Sequence, residues 1–211
     1  MYIYYYIKTR QIAADILNAY DHYDGFVILH GTDTMAYSSA SLSFMLADLG
    51  KPVIFTGAQK PMAEMRTDAI DNVQGALVLA GTALIPEVCV FFNRTLFRGN
   101  RVCKYDTEDY NAFRSFNMEP LVKMGTKINI NWDAVWRSNE AKKFSVTNGW
   151  NPHVALLRLF PSITATTVRS FLQPPIRGVV LQSYGAGNGP DNREDILRYL
   201  IYRARRRSLY L

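Results

Sequence analysis

The residues able to do chemistry stand in four short polar clusters, each just after an apolar run. They are His30-Gly31-Thr32-Asp33-Thr34, Thr56-Gly57-Ala58-Gln59, Asn93-Arg94-Thr95 and Gly185-Ala186-Gly187-Asn188-Gly189. In the first, Gly31 lets the backbone turn, Thr32 offers a hydroxyl, and Asp33 offers a carboxylate that can receive an ammonium, a composition suited to a zwitterionic ligand. Thr32 and Asp33 serve equally well as helix-capping residues, and His30 as a structural hydrogen-bonder, so residue types alone leave both readings open. Lys104 by itself reads as a surface lysine. Other site chemistries are excluded. No serine sits in a Gly-x-Ser-x-Gly elbow, the glycines from 185 to 189 are wrongly spaced for a dinucleotide loop, and Cys89 and Cys103 lack the partners a zinc site needs.

Elements that would position these clusters can be read from hydrophobic spacing. Ile12, Ala13, Ile16, Leu17 and Tyr20 predict a helix near Arg10 to Tyr20; Asp24-Gly25 makes a turn, and Phe26 to Leu29 is a buried strand. Thr34 is the expected N-cap of a second helix whose face is Leu42, Met45, Leu46 and Leu49, closed by Gly50 and Pro52. The unit repeats: a strand at Val53 to Phe55, then a helix from about Asp68 to Ala80 with the stripe Ala69, Ile70, Val73, Ala76, Leu77 and Ala80, then a strand at Val88 to Phe92. Lys123 to Pro152 reads as hairpin plus linker. Strands at Val154 to Phe160 and Gly178 to Tyr184, a helix at Thr164 to Leu172 and a last helix from Asp191 follow. Alternating strands and helices imply parallel βαβ units, hence an α/β fold with a doubly wound, largely parallel, flavodoxin-like sheet and a smaller, incomplete C-terminal α/β domain. The expected division is 1–135, a linker at 136–152, and 153–211. Ligands of such sheets bind beyond the carboxyl ends of the strands, where the clusters fall.

Composition agrees with a folded chain: 48% hydrophobic and 20% charged residues over 211 positions. The net charge of +6 owes four charges to Arg203, Arg205, Arg206 and Arg207, without interleaved aromatics, so nucleic acid is not the expected partner. A phosphate or nucleic-acid binder using that tail remains a third reading after the two given below. The opening Met1 to Ile7 lacks the basic start and cleavage site of a signal peptide, and no stretch is long enough for a membrane span. With free thiols expected as well, the reading is a cytoplasmic protein.

The string His30-Gly31-Thr32-Asp33-Thr34-Met35-Ala36-Tyr37 resembles the second signature of the L-asparaginase family, cytosolic type I branch. The resemblance continues through Gly50 to Ile54, Thr56 to Pro61, Leu96 to Arg101, Phe171 to Pro175 and Ser183 to Pro190, from about Ile12 to Leu200. It implies an amidohydrolase converting L-asparagine to L-aspartate and ammonia by threonine nucleophilic attack, with no metal or organic cofactor. Thr32, Asp33 and Lys104 would form a catalytic group, and Gly31, Thr32, Asp33, Ala58 and Gln59 would bind substrate. A threonine hydroxyl is a weak nucleophile until a base removes its proton, and a lysine held beside it can be that base. Homo-oligomers are implied for complete members.

Family members open with a strand ending in Gly-Gly-Thr-Ile, whose threonine is usually assigned as the nucleophile, and extend beyond the final helix. Neither feature has a counterpart here, so both ends read as those of a truncated member lacking its first strand. The rival reading is therefore a catalytically incomplete remnant acting as a binding or assembly partner. An unpaired edge at Phe26 to Leu29 and low solubility are expected with it.

Overall fold

Alternation along two strands dictates the architecture. In Val53–Thr56 and Val88–Phe92 every residue is buried. Val53, Phe55, Val88, Val90 and Phe92 enter one core with Ala13, Ile16, Met35, Leu42 and Met45; Ile54, Cys89 and Phe91 enter another with Ala76 and Leu79. A sheet apolar on both faces must carry helices on both, as α/β folds do.

The computed structural model describes residues 2–137 and 141–205. In order these form α1 (Tyr2–Ala19), β1 (Phe26–Leu29), α2 (Thr32–Met45), β2 (Leu46–Ala47), β3 (Val53–Thr56), α3 (Ala69–Thr82), β4 (Val88–Phe92) and β5 (Thr95–Arg98). Then come β6 (Cys103–Lys104), β7 (Phe113–Arg114), β8 (Val122–Met124), β9 (Ile128–Ile130), β10 (Ser145–Val146), β11 (Val154–Arg158), α4 (Ala165–Phe171), β12 (Gly178–Gln182) and α5 (Glu194–Arg205). The chain divides into two compact units, 1–148 and 149–211. No helix among the described residues is long and apolar enough to cross a membrane.

In the first unit a six-stranded sheet runs β1-β3-β4-β5-β8-β9. The first three strands are parallel, and from β4 onward each neighbour is antiparallel. The α/β class is as expected, but the parallel portion is smaller than the sequence suggests. Asn93-Arg94-Thr95, expected as a ligand loop, supplies the tight turn between β4 and β5. Asn93 and Arg94 take positive φ of 43° and 62°, the conformation that two-residue hairpins require. At the other end of the sheet β1 has no outer strand partner among the described residues. Phe26 N donates to Pro52 O and His30 N to Thr56 O, both at 2.9 Å, so Val27 and Leu29 turn their amides to the open side.

Three local expectations are corrected. First, α2 starts at Thr32 with Gly31 as its extended N-cap, rather than at Thr34, and it stops at Met45 because Leu46–Ala47 pairs antiparallel with Ser145–Val146. Leu46 and Leu49 are buried, but as strand and loop residues. Second, the buried face of α3 is Ala69, Asn72, Gly75, Ala76 and Leu79, whereas Ile70 and Leu77 are about half exposed. Gly75 explains the rotation: a Cβ there would lie 2.3 Å from the Phe91 ring, so the helix meets the sheet along its smallest residues. Third, α1 begins at Tyr2, well before Arg10.

The second unit packs α4 and α5 on the parallel pair β11–β12 through Leu157, Leu159, Ile163, Val168, Val179 and Ile196. Thr164 caps α4 by accepting from Thr167 N at 3.1 Å, as its position ahead of an apolar run predicts. The arginine tail falls largely on residues whose side chains lie outside the described set.

Candidate active site

Strand β1 delivers His30 and Gly31 to the carboxyl edge of the sheet, where α2 begins at once. His30 fastens this junction. A carbonyl can only accept, so the 2.7 Å contact with Gly31 O places a hydrogen on Nδ1; Nε2 then accepts from the buried Ser38 hydroxyl at 2.8 Å. The loop after β3 presses against the same place: a Cβ on Gly57 would sit 2.2 Å from His30 O, which only glycine avoids. Thr32 and Asp33 thereby occupy the first turn of α2. Neither is the N-cap, a place taken by Gly31 in an extended conformation.

Lys104 arrives from the segment after β5, on the same face of the sheet as α2. Gly99, at the end of β5, packs so closely that a Cβ would meet Val88 O at 2.8 Å, and its carbonyl accepts from Ser39 Oγ of α2 at 2.9 Å. This clamps the chain leading into β6 onto α2. Lys104 then pairs with the buried Phe113 of β7. Its Nζ donates to Thr32 Oγ1 at 2.8 Å and to Asp33 Oδ1 at 2.7 Å.

The burial of this trio is uneven. The Lys104 side chain is 16% exposed and that of Asp33 is 88% exposed. The amine is thus held among protein atoms while its counter-ion faces solvent. Lys104 keeps the Asp33 carboxyl below its ordinary range, first by donating a hydrogen bond to the ionised form and second by its charge. Only Oδ1 is engaged by Lys104, which leaves Oδ2 open to a ligand cation. Beside the pair a groove of about 500 Å³ runs past Ala36, Ala40 and Val102.

Gln59 and Ala58 belong to the loop after β3. Gln59 N and Lys60 N donate to the two oxygens of Asp68, at 3.0 and 3.1 Å. The Gln59 amide donates to Asp109 O at 3.1 Å, joining this loop to the segment that follows Lys104. Gln59 is therefore tied to the Lys104 side of the site through backbone, not to Thr32 directly, and Ala58 is half-buried with no polar side chain to offer. The expected residues Thr32, Asp33 and Lys104 meet, and Gly31 directly precedes Thr32 in the chain, whereas among the described residues no hydrogen bond joins Ala58 or Gln59 to the three.

Two organising residues escape sequence reasoning. Asn72, on the buried face of α3, donates to Gly57 O and Asp68 Oδ2, both at 3.0 Å, and accepts from Asn93 N at 2.9 Å. Asp68 looks like a cap for α3 but spends its carboxylate on Gln59 and Lys60, and Thr67 Oγ1 takes the Ala69 N–H instead. The usable signal was a polar residue at a helix position spaced for burial, between Ala69 and Ala76. Among the described residues, no group of three or more His, Cys, Asp or Glu side chains is placed to hold a metal ion.

This arrangement has close relatives. Residues 6–136 match the family model described as Asparaginase, N-terminal. The chain is 50% identical over 186 residues to the L-asparaginase of Dirofilaria immitis, covering 88% of this chain and 32% of that protein. It is 47% identical over 190 residues to the 60 kDa lysophospholipase of Mus musculus, covering 90% of this chain and 34% of that one. The crystal structure of L-asparaginase I from Vibrio cholerae superposes with a TM-score of 0.90 at 38% identity, over 97% of this chain and 62% of that one. The chain thus spans about a third of the first two relatives' lengths. With the family model matched over more than half its length, the chain belongs to the asparaginase family.

Proposed function

We propose that this chain carries an amide-hydrolysing site for L-asparagine, giving L-aspartate and ammonia, with Thr32 as nucleophile. The observation that carries the reading is the Lys104 amine at 2.8 Å from the Thr32 hydroxyl and 2.7 Å from the Asp33 carboxylate. In its neutral form that amine accepts the Thr32 proton as Oγ1 attacks the side-chain amide carbon. The tetrahedral intermediate collapses as the proton passes from Lys104 to the departing nitrogen, releasing ammonia and leaving an aspartyl ester on Thr32. Water then adds with Lys104 again as base, and aspartate leaves as Oγ1 recovers its proton. Asp33 orients the amine through Oδ1 and receives the substrate's α-ammonium at Oδ2. The start of a 14-residue helix adds a positive dipole end beside the developing alkoxide.

The test is ammonia release from asparagine by the purified chain. Thr32→Ala should abolish it and Lys104→Met should lower kcat by about 10²–10⁴-fold, the usual worth of a positioned general base. Activity unaffected by either change would refute the assignment. No activity in the unmodified chain would favour the rival reading, a non-catalytic partner that assembles with another family member. The same nucleophile and base also suit an ester, and the apolar groove of about 500 Å³ beside Lys104, with the 47% identity to a protein named lysophospholipase, supports a lysophospholipid as second substrate. Fatty-acid release measured beside ammonia release separates the two.

A further inference from the structure

A second cavity, of about 630 Å³, opens between the end of α2, the start of β4 and the end of β5. Its wall carries four cationic side chains, Arg98, Arg101, Arg137 and Lys142, against two carboxylates, Asp48 and Glu87. These carboxylates are already committed. Glu87 is buried, accepts from Arg98 Nε, from Arg98 Nη2 at 2.9 Å and from Trp136 N at 2.6 Å, so its charge is matched by Arg98. Asp48 lies 4.0 Å from Lys142. That leaves Arg101 and Arg137 without a carboxylate partner among the described residues.

Unmatched guanidinium groups in a concave wall concentrate positive potential where it is least screened, and their planar forks suit the oxygens of phosphate. A cavity of this volume falls within the range of small-molecule sites. Trp136, 68% exposed, lines the same cavity. We propose that this cavity binds a small polyphosphate anion, held by Arg101 and Arg137 with Lys142 in support. Arg101 follows β5 and Arg137 follows the segment tied to Arg98 through Ala134 O at 2.7 Å, so a bound anion bridges two parts of the first unit. The site is independent of Thr32 and its proposed chemistry.

Inorganic pyrophosphate is the probe, titrated into the full chain while intrinsic tryptophan emission and Tm are recorded. Pyrophosphate should raise Tm and alter emission. Arg101→Glu and Arg137→Glu should each weaken the apparent Kd about tenfold or more, as expected for loss of a guanidinium–phosphate fork. Lys127→Glu, the same charge change at the exposed β8–β9 turn, should leave it unaltered, and Trp136→Phe should remove the emission change but keep the rise in Tm. If a glutamate variant does not melt cooperatively, Arg101→Gln and Arg137→Gln carry the same comparison. No rise in Tm at millimolar pyrophosphate, or an equal loss in Lys127→Glu, would overturn the proposal. Neither readout involves amide hydrolysis, so its failure would leave the proposed function standing.

Discussion

Asp33 illustrates how one carboxylate can serve two partners and what that implies for pH. Its pKa in the folded chain lies below the ordinary range because Lys104 bonds and attracts the ionised form. The unfolded chain therefore takes up this proton more readily than the folded one. The pair's contribution to stability is whole above about pH 4, the ordinary carboxylate range, and is lost as pH falls through the depressed folded value. Comparing Tm of the unmodified chain and Asp33→Asn from pH 7 downward, the two should differ at neutral pH and converge in acid. A difference constant across the range would contradict this. Because the carboxylate is 88% exposed, salt should narrow the neutral-pH difference as well. At this scale the sequence was informative about Thr32 and Asp33, whose types and cluster announce a polar site. Lys104 comes through the family resemblance alone; residue types and spacing could not show it, because it lies 71 positions from Asp33 and that contact depends on how β6 is laid across α2. Asn72 left only a faint mark, a polar residue at a helix position spaced for burial, and nothing local told which loops it would join.

At the scale of elements, periodicity located the three helices and the three parallel strands of the first unit but misjudged the facing of α3. Ile70 and Leu77 count as core by hydrophobicity, yet Gly75 decides the contact, because only a residue without a side chain lets the helix approach Phe91. Two effects oppose each other in Gly75→Ala. Helix propensity favours alanine by about 1 kcal/mol. Overpacking costs about 1–3 kcal/mol, and a Cβ only 2.3 Å from an aromatic ring places this site at the upper end. Net destabilisation of about 1–2 kcal/mol should appear in chemical denaturation; a stabilised variant would show that the face has been misread. The end of α2 failed for a related reason. Leu46 and Leu49 continue a helical stripe, but pairing with Ser145 and Val146, almost a hundred residues away, turns the chain into a strand. No local pattern carries that information.

On the scale of the whole molecule, the α/β class followed from the alternation of elements, while the antiparallel half of the sheet was hidden in short, mixed segments. The open side of β1 has its own consequence. Among the described residues no strand pairs with Val27 and Leu29 on that side, and Leu29 is 67% exposed. Such an edge recruits other strands. Sedimentation of the 211-residue chain should show association that rises with concentration and is reduced by Leu29→Lys; a monomer at every concentration would contradict this. The mixed sheet also sets an order of events during folding. Strands β4 and β5 are joined by two residues, whereas β1 reaches β3 only across α2. Short loops close first. Pulsed hydrogen exchange should therefore find amides of Val88–Arg98 protected before those of Phe26–Leu29, and simultaneous protection would argue against it. Thr32 meets Lys104 only once the slower crossover is complete, so the chain's reactive geometry is among the last things it makes and among the first that a destabilised variant should fail to reach.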